Sequence, residues 1–335
     1  MDWLETTFST AQQWLYETLV QPAMFAVGLG QLLEDGYTAT GWLLVGLVQL
    51  AVLVIVFGPL QRWRPVEAVT DRATIRTDVL YTLIHRLGLF RVALFFGLDP
   101  LFDELVGSLR VAGFGTFHLD QLWPGVTDIG WISFAIYLVV FDFVDYWIHR
   151  GQHGLNWWWS LHSLHHAQRQ MTMWSDNRNH LLDDLLRDSL LVLLAQLIGV
   201  APGQFVAIVA ITQLSESLQH ANLRLWFGRI GERLWVSPRF HRRHHSIGIG
   251  HETPVRQRRK ARGDGEAQAS VGAVKLGGHN FGVLLPWWDQ LFGTANFELR
   301  YDPTGVRDQV EQGRDYGRGF CSQQWLGVKR LFGQA

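Results

Sequence analysis

Histidines occur in dense clusters along this chain, and their spacing suits metal binding. The stretch 149–166 reads HRGQHGLNWWWSLHSLHH, an H-x₃-H motif followed by an H-x₂-H-H motif, and a second H-x₂-H-H motif lies far downstream. The clustered residues are His149, His153, His162, His165, His166, His241, His244 and His245. On a helix, spacings of three and four residues place side chains on one face. Each cluster therefore predicts imidazoles that converge on one point, which suits iron, zinc, copper or nickel.

The number of clustered imidazoles exceeds what one metal ion needs. A structural zinc takes four ligands, and a catalytic zinc takes three and a water. The single Cys321 excludes a cysteine-based zinc or iron–sulfur site, so the ligands must be nitrogen or oxygen. Eight or more imidazoles match two adjacent metals, with positions left open for O₂ activation.

Two aspartates precede the first cluster on the same predicted helix. Asp145 lies one turn before His149, and Asp142 lies nearly two turns before it. A metal-bound imidazole commonly donates its other N–H to a carboxylate. We therefore expect Asp145, and less directly Asp142, to orient the ligands.

The elements that must position these residues are apolar and predict an all-α membrane protein. Charged residues make up 18% of the chain and hydrophobic residues 48%, with 16 tryptophans, which favours a membrane protein. The net charge of −1 gives no indication of a nucleic-acid partner. Segment 41–60 carries no charge and is long enough to cross a bilayer. Further apolar segments are 14–33 (imperfect or interfacial), 78–98, 129–143 and 181–211, the last split into a hairpin near Pro202.

This pattern predicts a multi-pass bundle of about four membrane helices with a histidine-rich helical cap. Arg62, Arg64, Arg72 and the basic loop 256–262 place the cap and the active site on the cytoplasmic side by the positive-inside rule. We expect membrane-anchoring helices over 1–127, a catalytic domain over 128–300 and a C-terminal tail over 301–335. Residues 251–278 are polar, basic and glycine-rich, and we interpret them as a flexible insertion in the catalytic domain.

The motifs resemble those of the fatty acid hydroxylase/sterol desaturase superfamily. The resemblance spans about 130–297 and includes D-Y-W-x-H-R-x-x-H from Asp145, W-x-x-H-x-x-H-H from Trp159 and H-R-x-H-H from His241. It extends to R-x-H at Arg178, Q-H-x-N at Gln219, N-F-G at 280–282 and W-D-x-L-F-G-T at 288–294. It implies an integral membrane, non-haem di-iron enzyme that uses O₂ and external electrons to hydroxylate or desaturate a lipid chain. The eight clustered histidines would bind the two irons.

Three more histidines are weaker candidate ligands. His180 lies where related sequences also place a histidine, and His279 adjoins the N-F-G motif. His220 ends an apolar helix, with Glu216 one turn earlier as a further candidate beside the metals.

The electrons must come from another protein. The sequence contains no G-x-G-x-x-G in a strand–turn–helix context, no haem signature and no C-x-x-C. This implies a cytochrome b5-like or ferredoxin-like donor with its reductase, and the basic loop 256–262 could receive an acidic donor.

Two other function classes remain as alternatives. A zinc-dependent membrane hydrolase would need a motif such as H-E-x-x-H, which the sequence lacks. A metal transporter or store would spread charged residues along its membrane segments, whereas the ligands here cluster at helix ends. The lipid substrate, and hydroxylation versus desaturation, stay open.

Overall fold

The chain folds into helices throughout the part that the structure describes. The computed structural model describes residues 2–247 and 278–335, and no β-strand occurs within these ranges. The N-terminal helices are α1 (Asp2–Leu15), α2 (Gln21–Ala26), α3 (Leu33–Val52), α4 (Gly58–Trp63), α5 (Arg72–Arg86), α6 (Leu89–Gly97) and α7 (Asp99–Val111). The later helices are α8 (Gly130–Gly154), α9 (Asn156–His166), α10 (Leu181–Ile198), α11 (Pro202–His220), α12 (Gly228–Leu234), α13 (Pro238–His244), α14 (Trp287–Leu291), α15 (Arg307–Glu311) and α16 (Phe320–Leu331). The all-helical fold class is confirmed for these residues.

Two helical stretches in the described residues are long and apolar enough to cross a membrane. They are Gly30–Trp63, which joins α3 and α4 through a π-helical turn, and α8. Val54 and Ile55 on the first stretch are 56% and 71% exposed, so this helix presents an apolar face to its surroundings. Such a face suits lipid. The other predicted membrane spans remain a prediction.

Glycines and a proline divide the other apolar segments. Gly88 has a φ of 78° and separates α5 from α6, so segment 78–98 is two helices. Gly199, with a φ of 68°, ends α10, and Pro202 begins α11. A left-handed glycine stops a helix and proline suits its first turn. Segment 181–211 is therefore two helices divided near Pro202.

A buried arginine is among the residues that tie the N-terminal helices to the later helices. Arg86 on α5 is 2% exposed and donates to Gln49, Asp176 and Gln213. Its carbonyl oxygen lies only 1.6 Å from where a Cβ on Gly46 would be, so α3 and α5 are in close contact there. Because Arg86 also donates to Gln213, this contact holds α3 close to α11, the helix that carries His220.

The C-terminal segment, expected as a tail, includes a packed helix. Helix α16 lies against α9, where Arg330 donates from Nε to the carbonyl of Ser160 at 3.2 Å. The predicted insertion 251–278, its basic loop included, lies outside the described residues except for Gly278.

Candidate metal centre

Histidines from four helices converge into two groups of buried imidazoles. The first histidine group contains His149, His153, His162 and His166, and the second contains His165, His220, His241 and His245. Within each group, one nitrogen of every ring lies within 4.8 Å of the others. His166, His244 and His245 form an overlapping third group, so the two main groups adjoin each other. The structure thus brings together all eight predicted histidines and adds His220.

Nitrogen spacing in the second histidine group fits a shared metal ion. Nε2 of His220 lies 3.1 Å from Nε2 of His165 and 3.2 Å from Nε2 of His241. Nε2 of His245 lies 3.1 Å from Nε2 of His241. A tetrahedron of nitrogens with metal–nitrogen bonds of 2.0–2.1 Å has edges of about 3.4 Å. The donor set and its spacing therefore fit a metal ion held by nitrogen alone.

Backbone carbonyls orient three of the rings. Nδ1 of His149 donates to the carbonyl of Phe281, Nδ1 of His244 to that of His279, and Nδ1 of His220 to that of Glu216, each at 2.8 Å. A carbonyl oxygen can only accept, so the proton resides on Nδ1 and the lone pair on Nε2. Each ring is thus held in the tautomer that binds metal through Nε2.

A fourth ring is oriented by a carboxylate that the sequence analysis missed. Asp183, near the start of α10, accepts from Nδ1 of His162 at 2.9 Å. The same carboxylate accepts from Gln152 Nε2 and Trp158 Nε1, both at 2.7 Å. Asp183 is 2% exposed. The available signal was a carboxylate inside an otherwise apolar segment, because such a group is rarely buried without partners.

Burial keeps the imidazoles neutral. It lowers the pKa of His244 to about 3 and that of His165, His166, His241 and His245 well below the usual range, and neighbouring imidazoles add to the effect. Neutral imidazole is the form that binds metal. Within the described residues, buried Nε2 atoms of His162, His166 and His244 have no hydrogen-bond partner. Buried polar atoms are normally paired, so these atoms point to a ligand.

The two predicted orienting aspartates serve other donors. Asp145 accepts two hydrogen bonds from Arg187, each at 2.8 Å. Asp142 accepts from the backbone N–H groups of Leu284 and Leu285 and from Trp288 Nε1. Asp142 therefore fixes the segment after the N-F-G motif against α8, and Asp145 fixes α10. The sequence placed both aspartates on the helix that carries His149, but it did not indicate which groups would donate to them.

The remaining candidates contribute differently from what the sequence suggested. His180 lies outside both groups, because its Nδ1 accepts from the N–H of Leu182 at the start of α10 and its Nε2 contacts the carbonyl of Gln324. The imidazole of His279 belongs to neither group, and its carbonyl orients His244. Glu216 orients His220 through its carbonyl, while its carboxylate accepts from Arg187 at 3.0 Å.

Comparison with known proteins agrees with this geometry. Residues 134–253, which contain both histidine groups, match the family model described as fatty acid hydroxylase. Over these residues the chain is similar to the fatty acid hydroxylase superfamily. It is 25% identical over 274 residues to the ornithine lipid hydroxylase OlsE of Rhizobium tropici, which covers 81% of this chain and 73% of the relative. No solved structure matches the chain. The resemblance found in the sequence is confirmed, and the protein is an oxidoreductase.

Proposed function

We propose that this protein is a membrane-bound di-iron oxygenase that hydroxylates a C–H bond of a lipid. The observation that carries the proposal is the pair of adjoining all-histidine groups with the third group that overlaps them, which together hold nine buried imidazoles with their nitrogens at ligand spacing. We assign as ligands His149, His153, His162, His165, His166, His220, His241, His244 and His245. His180 and His279 are left out of this ligand set.

Two irons bound there would supply the O₂-activating chemistry. The chain orients the ligands and excludes bulk water. Asp183 and the carbonyls of Phe281, His279 and Glu216 hold four rings in the metal-binding tautomer. Fixing the second nitrogen in this way orients the ligand and raises its basicity. The groups are buried, which keeps bulk water from the reacting centre.

A lipid substrate is supported by a large apolar cavity next to the metal centre. The cavity has a volume of about 1000 Å³ and is lined by α3, α10 and α11. Sites of this size accept molecules as large as a lipid chain. Since the relative from Rhizobium tropici is named for an ornithine lipid, a lipid with an amino-acid headgroup is the first substrate to test.

The membrane arrangement and the electron supply belong to the same proposal. A multi-pass chain with its metal centre at the cytoplasmic face agrees with the two apolar helices and with the arginines at 62 and 64 that follow the first one. Electrons would come from a separate cytochrome b5-like or ferredoxin-like protein with its reductase. The basic loop 256–262 remains the candidate contact for that donor.

The proposal is tested by isotope labelling in membranes. Membranes containing the full chain, a reductase system and ¹⁸O₂ should yield a lipid with one added ¹⁸O, and the product should disappear without O₂. Loss of two hydrogens without added oxygen would indicate desaturation at the same site. An anaerobic hydrolysis product together with bound zinc would refute the oxygenase and favour the zinc hydrolase.

A further inference from the structure

The apolar cavity changes character along its length. Over α10 it runs from Arg187 to Gln196, a rise of about 14 Å. Beyond the first turn its walls are mostly apolar and include Leu191, Phe205 and Val209, with Asp35 and Arg91 among the few charged residues. Such walls suit an alkyl chain, because burying apolar surface there is favourable.

The inner end of the cavity is charged. Five residues line both the cavity and a small polar pocket of about 90 Å³ that reaches the histidines, and all five are polar: Asp145, Arg187, Asp188, Gln213 and Glu216. Whatever part of a lipid comes nearest the metal centre must therefore lie against these groups.

Two of these side chains keep bonding capacity for a ligand. Arg187 uses Nε and Nη2 on Asp145 and Glu216, and its Nη1 has no hydrogen-bond partner in the described chain. The Asp188 carboxylate forms no hydrogen bond or ion pair with any described residue and is half-buried. Nη1 can donate to a carbonyl oxygen, and the carboxylate can accept from an amine.

The energetics disfavour an alkyl end at this position. Placing a methylene chain against Arg187 and Asp188 would strip water from charged groups without replacing their hydrogen bonds, which is costly. A carbonyl and an ammonium would replace them with charge-assisted hydrogen bonds. The polar end of the lipid therefore suits the inner end of the cavity better than its tail does.

We infer that the lipid docks headgroup first, with a carbonyl oxygen at Arg187, an amine at Asp188 and its chain extending between α10 and α11. This inference rests on the proposed function and sharpens it. The oxidised C–H bond then lies in the headgroup or in the first few carbons of the chain. Arg110 and His118 flank the outer end of the cavity, and both are exposed. A headgroup bound by these two residues would place the lipid tail, and not the headgroup, next to the metals.

Two matched amphiphiles test the docking. N-palmitoyl-lysine and N-palmitoyl-norleucine share the amide carbonyl, the carboxylate and the chain, and differ at the side-chain amine. We measure equilibrium binding of each to the full chain in detergent, for the wild type, Asp188→Asn and the exposed control Asp128→Asn. Positions of added oxygen are read by tandem mass spectrometry after aerobic turnover.

The expected result is at least about tenfold tighter binding of the lysine amphiphile, a preference that Asp188→Asn removes and Asp128→Asn keeps. Added oxygen should appear in the headgroup or near the carbonyl. Equal binding of the two amphiphiles to the wild type, or oxygen confined to the distal chain, would overturn the docking. If the binding preference is present but no amphiphile or membrane lipid ever gains oxygen, the oxygenase proposal fails while the docking stands.

Discussion

Asp183→Asn should weaken metal binding at the first histidine group specifically. In the wild type, one carboxylate oxygen accepts from Gln152 and Trp158 and the other accepts from Nδ1 of His162. The side-chain oxygen of an asparagine can still accept from Gln152 and Trp158. Its NH₂ group then faces the Nδ1–H group of His162. To avoid two facing donors, the ring must rotate or move its proton to Nε2, and either change removes Nε2 as a ligand.

The expected loss is about 10–100-fold in affinity for the metal in that group, or about 1.4–2.8 kcal/mol. Purified wild type, Asp183→Asn and the exposed control Asp128→Asn are dialysed against graded chelator, and the remaining iron is measured by mass spectrometry. The variant should release one iron at lower chelator concentration and hold the other as the wild type does. Retention of both irons at wild-type affinity, in a variant with unchanged thermal stability, would refute the role assigned to Asp183.

Three further perturbations follow from the geometry. His244→Ala should lose iron, whereas His180→Ala should keep both irons and lose stability, since His180 begins α10 rather than facing the metals; iron analysis and thermal unfolding separate the two. The metal-free chain should lose stability as pH falls below about 6.5, because the buried histidines have folded-state pKa values below the unfolded value and the unfolded chain takes up their protons. Below that pH, each such histidine lowers the free energy of unfolding by about 1.4 kcal/mol per pH unit. A melting temperature that stays constant from pH 7.5 to 5.5 would contradict this. Gly46→Ala should destabilise the fold by about 3 kcal/mol because its Cβ would meet the Arg86 carbonyl, while Gly107→Ala, with nothing within 4 Å, should be tolerated; equal melting temperatures for the two variants would argue against the contact.

The histidine groups could be predicted from sequence because their signal is local. Spacings of three and four residues already place His162, His165 and His166 on neighbouring positions of one helix. The rings of His166 and His245 stack with their centroids 4.3 Å apart. This stacking depends on packing between α9 and α13, which are distant in sequence. Only the resemblance to a known family indicated that meeting in advance.

The groups that orient the rings escaped prediction for two physical reasons. Every residue carries a carbonyl, so nothing in the type of Phe281 marks it as the acceptor for His149. Asp145 was expected beside His149 from its position one turn earlier, but Arg187, 42 residues away, offers it two hydrogen bonds. Tertiary partners of this kind outweigh helical proximity.

The central claim is that nine histidines hold two irons in adjoining groups. It is tested most directly by the metal content of the full chain purified without added metal, measured together with His162→Ala and His241→Ala, one from each group. We predict two irons per wild-type chain, with each variant losing iron at its own group. A single metal ion per wild-type chain, or stoichiometric zinc in place of iron, would contradict the claim.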